Sequence, residues 1–260
     1  MRMWLIPRFC LRARVVHGWD YRRYLLSQIA AASISVDSPT NSGENGSQST
    51  DVNDIPPFPY SLACSKLPLD VKRHHLILAR AELAYTLRKI EANFSNFSAW
   101  HQRSKLLPNI WAGEDKEVAQ LRSAREEEFN LLRQAIYTDP SDQSVWLYHA
   151  WLVDLDPSHD VLEREIESIE ELLSIEPDSK WCIESLYRYK TLFAETLNTD
   201  VGVSGHRRFP CASDDGTVSA QKKHRLLCEA QQHLRRLIQV DQERSGRWRE
   251  LSRRSEGDGS

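Results

Sequence analysis

The stretch that decides the fold is Asn96-Phe97-Ser98-Ala99-Trp100-His101-Gln102-Arg103. Its pattern of a Trp followed by a polar pair and an Arg returns upstream as Trp19-Asp20-Tyr21-Arg22-Arg23, and it returns in altered form around Trp146 and Trp181. Trp100 and Trp146 are 46 residues apart, and Trp146 and Trp181 are 35 residues apart. Self-similarity at intervals of a few tens of residues is typical of stacked supersecondary units.

Long amphipathic segments separate these motifs. Apolar residues recur at helical spacing in 71–92, 118–137 and 161–175, with charged residues on the opposite side. Each segment ends in a short polar or Pro-containing break, after which a Trp motif begins a second helix. The repeated unit is therefore a helical hairpin. We interpret Pro108–Lys116 as a longer turn between hairpins, and we predict closing helices at 219–240 and at Asp241–Arg254.

These units predict an all-α fold, an alpha-alpha superhelix or solenoid of antiparallel helical hairpins. The predicted organisation is one helical-repeat domain over residues 1–254. Residues 33–60 and 198–218 are rich in Ser, Asn, Gly, Asp and Pro and lack helical periodicity, so we predict that they form solvated insertions. Residues 255–260 are predicted to form a disordered tail.

Composition and charge limit the classes of function that the chain can have. The 260 residues carry a net charge of −3, so there is no general basic field to favour nucleic acid as a partner. No window approaches the roughly eighteen apolar residues of a transmembrane helix. Five scattered cysteines without a Cys-x-x-Cys pair indicate reduced thiols in a cytoplasmic protein. No triad, phosphate loop or paired-carboxylate motif emerges, so the chain is predicted to hold no catalytic residue, metal or cofactor of its own.

Four of the eight tryptophans, one in each copy of the motif, are predicted to form the structural core of the repeat. Burying one indole per hairpin removes roughly 150–250 Å² from water, and the indole N–H then needs a nearby carbonyl or carboxylate as its acceptor. An aromatic recognition surface is the alternative interpretation. The proposed core residues are Trp19, Trp100, Trp146 and Trp181.

Three strings carry a family resemblance: Trp-Asp-Tyr-Arg-Arg at 19–23, Asn-Phe-Ser-Asn-Phe-Ser-Ala-Trp-His-Gln-Arg-Ser at 93–104, and Thr-Asp-Pro-Ser-Asp-Gln-Ser-Val-Trp at 138–146. They resemble the repeats of protein prenyltransferase alpha subunits, above all those of the type II, or Rab geranylgeranyltransferase, family. The Lys180-Trp181-Cys182 element and the closing helix are also similar, so the resemblance covers most of the chain outside the two insertions.

The resemblance implies a crescent that wraps around a beta subunit, which holds the zinc ion and the isoprenoid pocket. In that family the heterodimer transfers geranylgeranyl from its diphosphate, with magnesium assisting, to C-terminal cysteines of Rab GTPases presented by a Rab escort protein. By itself the chain is expected to be inactive.

The resemblance also implies roles for individual residues. We expect six side chains to lie at the interface with the beta subunit, and ordinary pairs within the chain, with Asp20 or Glu91, are the alternative for the arginines. His17 is expected near the isoprenoid diphosphate, with a structural histidine at a helix start as its alternative. The six predicted interface residues are Tyr21, Arg22, Arg23, His101, Arg103 and Tyr148.

The sequence departs from the family pattern in two places. Family members carry further hairpins before the Trp-Asp-Tyr-Arg-Arg motif, one of which supplies a lysine near the diphosphate, so we interpret the N-terminus as shortened. Val15-Val16 stands where the pattern expects an Asn followed by an aromatic residue. Two other readings stay open: a tetratricopeptide-like scaffold, whose regular period of about 34 residues this chain does not hold, and an inactive truncated form.

Overall fold

The structure, a computed structural model, describes residues 8–36, 54–199 and 215–257. Within these ranges the regular structure is helical, which confirms the predicted all-α fold of helical hairpins. The α-helices are α1 Arg8–Val36, α2 Leu69–Ala92, α3 Phe97–Gly113, α4 Val118–Thr138, α5 Gln143–Asp154, α6 His159–Ile175, α7 Lys180–Thr199, α8 Asp215–Val240 and α9 Ser245–Gly257. Short 3₁₀ turns lie at Tyr60–Ala63 and Gln242–Arg244.

The turns inside successive hairpins are built alike. Asn96 caps α3 by accepting a hydrogen bond from Ala99 N at 3.2 Å, and Asp142 caps α5 by accepting one from Ser144 N at 2.9 Å. Three residues before each cap, Asn93 and Asp139 accept hydrogen bonds from the backbone N–H two residues further on. Side chains that satisfy exposed backbone amides in this way stop one helix and start the next within four residues.

The chain divides into two compact units, residues 1–126 and 127–260. In the first unit, Leu106 and Ile110 of α3 pack with Ala79 of α2 and with Leu62 of the first 3₁₀ turn. Gly113 lies at the end of this contact, where an added Cβ would come within 3.2 Å of the Leu76 side chain. The absence of a side chain at Gly113 therefore lets α3 approach α2 closely.

The second unit has its own core. Ile183 of α7 packs with Leu234 and Leu237 of α8 and with Trp248 of α9. Trp248, which is 1% exposed, donates from Nε1 to the Asp241 carboxylate at 2.9 Å. The predicted closing segment Asp241–Arg254 is thus a 3₁₀ turn followed by α9, anchored by this indole.

The predicted turn at Pro108–Lys116 is wrong over most of its length, because α3 continues through Pro108 to Gly113. Proline removes one helical hydrogen bond, but the residues around it are held by burial, with Leu106 and Ile110 at 0% and 3% exposure. The turn occupies only the residues after Gly113. It includes Asp115, whose φ of 49° lies in the left-handed region that Asp tolerates.

Helices also extend into the segments predicted as insertions and tail. α1 continues to Val36, where Ser33 Oγ lies 3.1 Å from His75 Nε2, and Phe58 packs against the core of the first unit. α7, α8 and α9 extend to Thr199, from Asp215 and to Gly257. The rest of the predicted insertions and tail, 37–53, 200–214 and 258–260, lies outside the described residues. The single-domain organisation over 1–254 stays a prediction.

Candidate functional site

Three of the four tryptophans predicted to form the repeat core are buried. Trp19, Trp100 and Trp146 are 7%, 1% and 3% exposed. Trp100 donates from Nε1 to the carbonyl of Phe94 at 2.7 Å, and Trp146 donates to the carbonyl of Pro140 at 2.9 Å. Each acceptor lies six residues before its Trp, so the indole ties the hairpin turn to the second helix.

Trp181 is the exception, because its side chain is only half-buried. Its Nε1 donates to the carbonyl of Ser141 at 3.1 Å, and the guanidinium of Arg244 lies 4.7 Å from its ring centre. The weaker sequence match at Trp181 therefore corresponds to a weaker burial, and Trp248 fills the core of the last helices instead.

A basic side chain lies three residues after each of Trp19, Trp100 and Trp146. These side chains are Arg22, Arg103 and His149. Arg22 forms an ion pair with Glu82, whose side chain is fully buried. Arg103 is 7% exposed and donates to the Leu83 carbonyl and to Thr86 Oγ1, both at 3.3 Å. Both arginines thus contact α2, the first helix of the hairpin that contains α3.

His149 forms the centre of a buried network in the second unit. Its Nε2 lies 2.9 Å from Glu165 Oε2, and its Nδ1 lies 2.7 Å from the hydroxyl of Tyr189. Burial alone would raise the pKa of Glu165, but the hydrogen bonds and charges of His149 and Arg164 hold it below its ordinary value. This network joins α5, α6 and α7 through polar groups that are satisfied by one another.

The structure divides the six predicted interface residues into two groups. Tyr21, Arg23 and His101 have exposed or half-exposed side chains, and Arg22 is half-exposed. Arg103 and Tyr148 are buried inside their own units, at 7% and 3% exposure. Tyr148 donates its hydroxyl to Glu128 Oε2 at 2.8 Å and packs against Trp151. The side chain of His17 lies outside the described part of the structure.

Exposed side chains of α1 and α3 form one surface in the first unit, which we call the α1/α3 surface and define by Arg23, Phe97, His101 and Lys105. The His101 ring stacks on Phe97, with 5.8 Å between the ring centres. Partial burial, followed by the positive charges of Lys105 and Arg23, lowers the pKa of His101. The surface therefore combines exposed aromatic rings with positive charge.

Sequence reasoning missed the buried carboxylates that the repeat's basic residues require. Glu82 and Glu165 are 1% and 2% exposed, although Glu is rarely buried unless it is paired. For Glu165 the signal was available, since it lies on the apolar side of the predicted helix 161–175. Glu82 gave no such signal, because the buried side of α2 also carries His75 and Thr86. Among the described residues no cluster of three or more metal-ligating side chains is present, and no described helix is long and apolar enough to cross a bilayer.

Two regions of the sequence match the protein prenyltransferase alpha subunit repeat, residues 79–110 and 125–156. Their starts are 46 residues apart, as Trp100 and Trp146 are. Each match spans the C-terminal part of a first helix, the turn, and most or all of the second helix. The match thus covers the capped turn and the indole hydrogen bond described above.

The chain is also similar to curated proteins named geranylgeranyl transferase type-2 subunit alpha. It is 32% identical to the Schizosaccharomyces pombe protein over 257 residues, which is 92% of this chain and 57% of that protein. It is 46% identical to the Dictyostelium discoideum protein over 88 residues, 32% of this chain and 27% of that protein, and 43% identical to the Homo sapiens protein over 84 residues, 31% and 15%. The chain spans little more than half the length of the fission yeast relative.

Fold, capped turns and matched repeats together define a helical-repeat protein that carries two repeats of the protein prenyltransferase alpha-subunit type. The curated proteins that it resembles over most of its own length are type-2 geranylgeranyl transferase alpha subunits.

Proposed function

We propose that this chain acts as the alpha subunit of a heterodimeric geranylgeranyl transferase of type 2. In that role it supports the transfer of geranylgeranyl from its diphosphate to C-terminal cysteines of Rab GTPases. The observation that carries the proposal is the similarity to the fission yeast alpha subunit, which extends over 92% of this chain. The spacing of the repeats argues against the tetratricopeptide alternative. That alternative requires a regular period, which the gaps of 46 and 35 residues between tryptophans do not keep.

The α1/α3 surface supports an interface with a beta subunit. Its exposed Phe97 ring and the charges of Arg23 and Lys105 can bind an aromatic and acidic surface on a partner. Arginine and tyrosine are enriched at such interfaces because they combine apolar area with strong hydrogen-bond donors. We assign direct contacts with the partner to Tyr21, Arg23 and His101, and we assign Arg103 and Tyr148 to holding their helices in place.

The chemistry of transfer belongs, in this proposal, to the partner. We assign the zinc ion and the isoprenoid pocket to the beta subunit, and magnesium to the diphosphate of the substrate. His17 is the one residue of this chain that we assign near the diphosphate, where an imidazole can donate a hydrogen bond to developing negative charge. A Rab escort protein would present the Rab substrate, and the assembled enzyme would act in the cytoplasm.

A prenyl-transfer assay tests the proposal. The chain is co-expressed with a type-2 beta subunit, purified by a tag on the beta subunit, and supplied with labelled geranylgeranyl diphosphate, a Rab GTPase and an escort protein. We expect labelled Rab with the pair and none with either subunit alone. A stable pair that transfers no label would leave assembly intact and would show an inactive form, whereas failure to pair would overturn the proposal.

A further inference from the structure

A groove of about 430 Å³ lies in the second unit, between α5, α7 and α9. These are the second helices of three consecutive hairpins. In a repeat array each hairpin packs on its immediate neighbours, and both neighbours of α7 in this row, α5 and α9, belong to the described residues. The walls of the groove are therefore complete within this unit. Its volume is in the range of sites that bind small ligands or short peptide segments.

The floor of the groove is apolar. Trp248, which is 1% exposed, lines it together with Leu192 and Leu251, whose side chains are half-buried. Tyr187 adds a half-buried aromatic ring. An apolar side chain that covers the two leucines would remove their remaining surface from water, which favours binding.

Most charged groups of the groove are neutralised within the chain. Arg188 donates to Asp154 Oδ1 at 2.7 Å. Glu184 forms an ion pair with Arg244 at 2.9 Å. These pairs satisfy one another, so they do not define the chemistry of a ligand.

Three groups of the lining are not satisfied by any described residue. The Glu195 carboxylate is exposed and forms no ion pair, and the Tyr187 hydroxyl forms no hydrogen bond within the described part of the chain. Arg247, whose side chain is 61% exposed, lies 3.8 Å from Glu184, which is beyond hydrogen-bond distance. Burial raises the pKa of Tyr187, and the charges of Arg247 and Glu195 act on it in opposite directions. The groove thus offers one unsatisfied charge of each sign.

The two unsatisfied charges are separated along α7. Arg247 lies beside Glu184, and Glu195 follows Glu184 by 11 residues, which is about 16 Å of helix. In an extended peptide, residues i and i+4 face the same way about 13 Å apart, and residue i+2 faces the same way between them. Long side chains at i and i+4 can therefore reach both charges.

We propose that the groove binds an extended peptide segment of a second polypeptide, with an acidic residue at i, an apolar residue at i+2 and a basic residue at i+4, in either chain direction. The acidic residue pairs with Arg247 and the basic residue with Glu195, while the apolar side chain covers the floor. Charge complementarity selects this occupant, because a segment with two charges of one sign would place a like charge beside Arg247 or Glu195. The proposal does not depend on transferase activity.

The test uses the intact chain and three labelled peptides, capped at both ends, in a fluorescence anisotropy titration. The probe is Glu-Thr-Leu-Thr-Lys. The controls are Glu-Thr-Leu-Thr-Glu and Lys-Thr-Leu-Thr-Lys, because reversing the probe would only change its chain direction. The protein variant is Glu195→Lys, and its matched control is Glu167→Lys on α6, outside the groove. Both glutamates are exposed, so neither change disturbs a core.

We expect the probe to bind at least about fivefold more tightly than either control peptide. Glu195→Lys should make the peptide with two glutamates the tightest of the three, whereas Glu167→Lys should leave the order unchanged. Three results would overturn the proposal. These are no saturable binding of the probe, as when another part of this chain occupies the groove, equal affinities for the three peptides, and the same effect of both substitutions.

Discussion

Arg22 donates from Nε to both carboxylate oxygens of Glu82, at 2.9 and 2.7 Å, and so connects α1 to α2. The Arg22 guanidinium also lies 3.6 Å above the ring of Tyr85. His149 and Glu165 repeat the relationship in the second unit, where a base three residues after a Trp contacts a buried carboxylate on the first helix of the next hairpin. Arg22 and His149 thus join their helices to the following hairpin, whereas Arg103 contacts α2 of its own hairpin. The indoles of Trp100 and Trp146 fix their own turns.

Removing the Arg22 side chain should leave the buried carboxylate of Glu82 without its ion-pair partner. We expect Arg22→Ala to lower the free energy of unfolding by about 2–3 kcal/mol, because Glu82 would then be desolvated without compensation. Arg23→Ala is the matched control, since Arg23 pairs with exposed Asp20 and should cost less than about 1 kcal/mol. Urea denaturation followed by circular dichroism measures both. Equal effects of the two substitutions would show that the Arg22–Glu82 pair has no special role.

Each indole hydrogen bond should contribute to the free energy of unfolding in proportion to the burial of its tryptophan. We expect Trp100→Phe and Trp146→Phe each to cost about 1–3 kcal/mol, because each leaves a carbonyl without its donor and a small void. Trp181→Phe should cost less, because that side chain is half-buried. Thermal and urea unfolding of the three variants make the comparison. A larger loss at Trp181 than at Trp100 would contradict the assignment of the core.

His233 on α8 should make stability depend on pH. Burial, followed by the positive charge of Lys190, lowers the pKa of His233 to about 4. The unfolded chain, with a histidine pKa of 6.5, therefore binds the proton more readily, and stability from this residue is lost as the pH falls from 6.5 to about 4. An NMR titration of the imidazole should give a midpoint near 4, and His233→Gln should reduce the slope of the stability profile in that window. A midpoint at the ordinary value would contradict the burial described.

The α1/α3 surface should be sensitive to charge reversal. We expect Arg23→Glu combined with His101→Glu to weaken the complex with a type-2 beta subunit by at least about tenfold, because both side chains would then repel an acidic partner. Arg249→Glu, at an exposed position on α9, is the matched control and should change binding little. Surface plasmon resonance on immobilised beta subunit measures the difference. Comparable affinities for the double variant and the control would remove this surface from the interface.

The helical hairpins and their turns were predictable because local chemistry fixes them. Asn and Asp are favoured caps before an amphipathic segment, and Asn96 and Asp142 cap α3 and α5 in this way. The 46-residue spacing of Trp100 and Trp146 is visible in the sequence alone and indicates the repeat. The sequence predicted the type of group that accepts the indole hydrogen bonds, since a buried N–H needs a carbonyl or carboxylate as its acceptor. Their identity follows from the fixed length of the turn.

The errors arose where tertiary packing overrides a local signal. Pro108 indicates a break, but buried Leu106 and Ile110 on either side of it hold the helix together. Arg103 and Tyr148 were predicted at an interface from the family resemblance, and the structure buries both within their own units, at 7% and 3% exposure. Their place at an interface stays a prediction. Whether a polar side chain on a helix edge faces a partner or a buried carboxylate depends on the neighbouring hairpin, which a single repeat does not specify.

The most direct measurement of the central claim is the mass of the particle formed when this chain is mixed with a type-2 geranylgeranyl transferase beta subunit, by native mass spectrometry with light scattering as a check. The account predicts a stable one-to-one complex that survives dilution to submicromolar concentration. Two separate species with the masses of the free chains would contradict it.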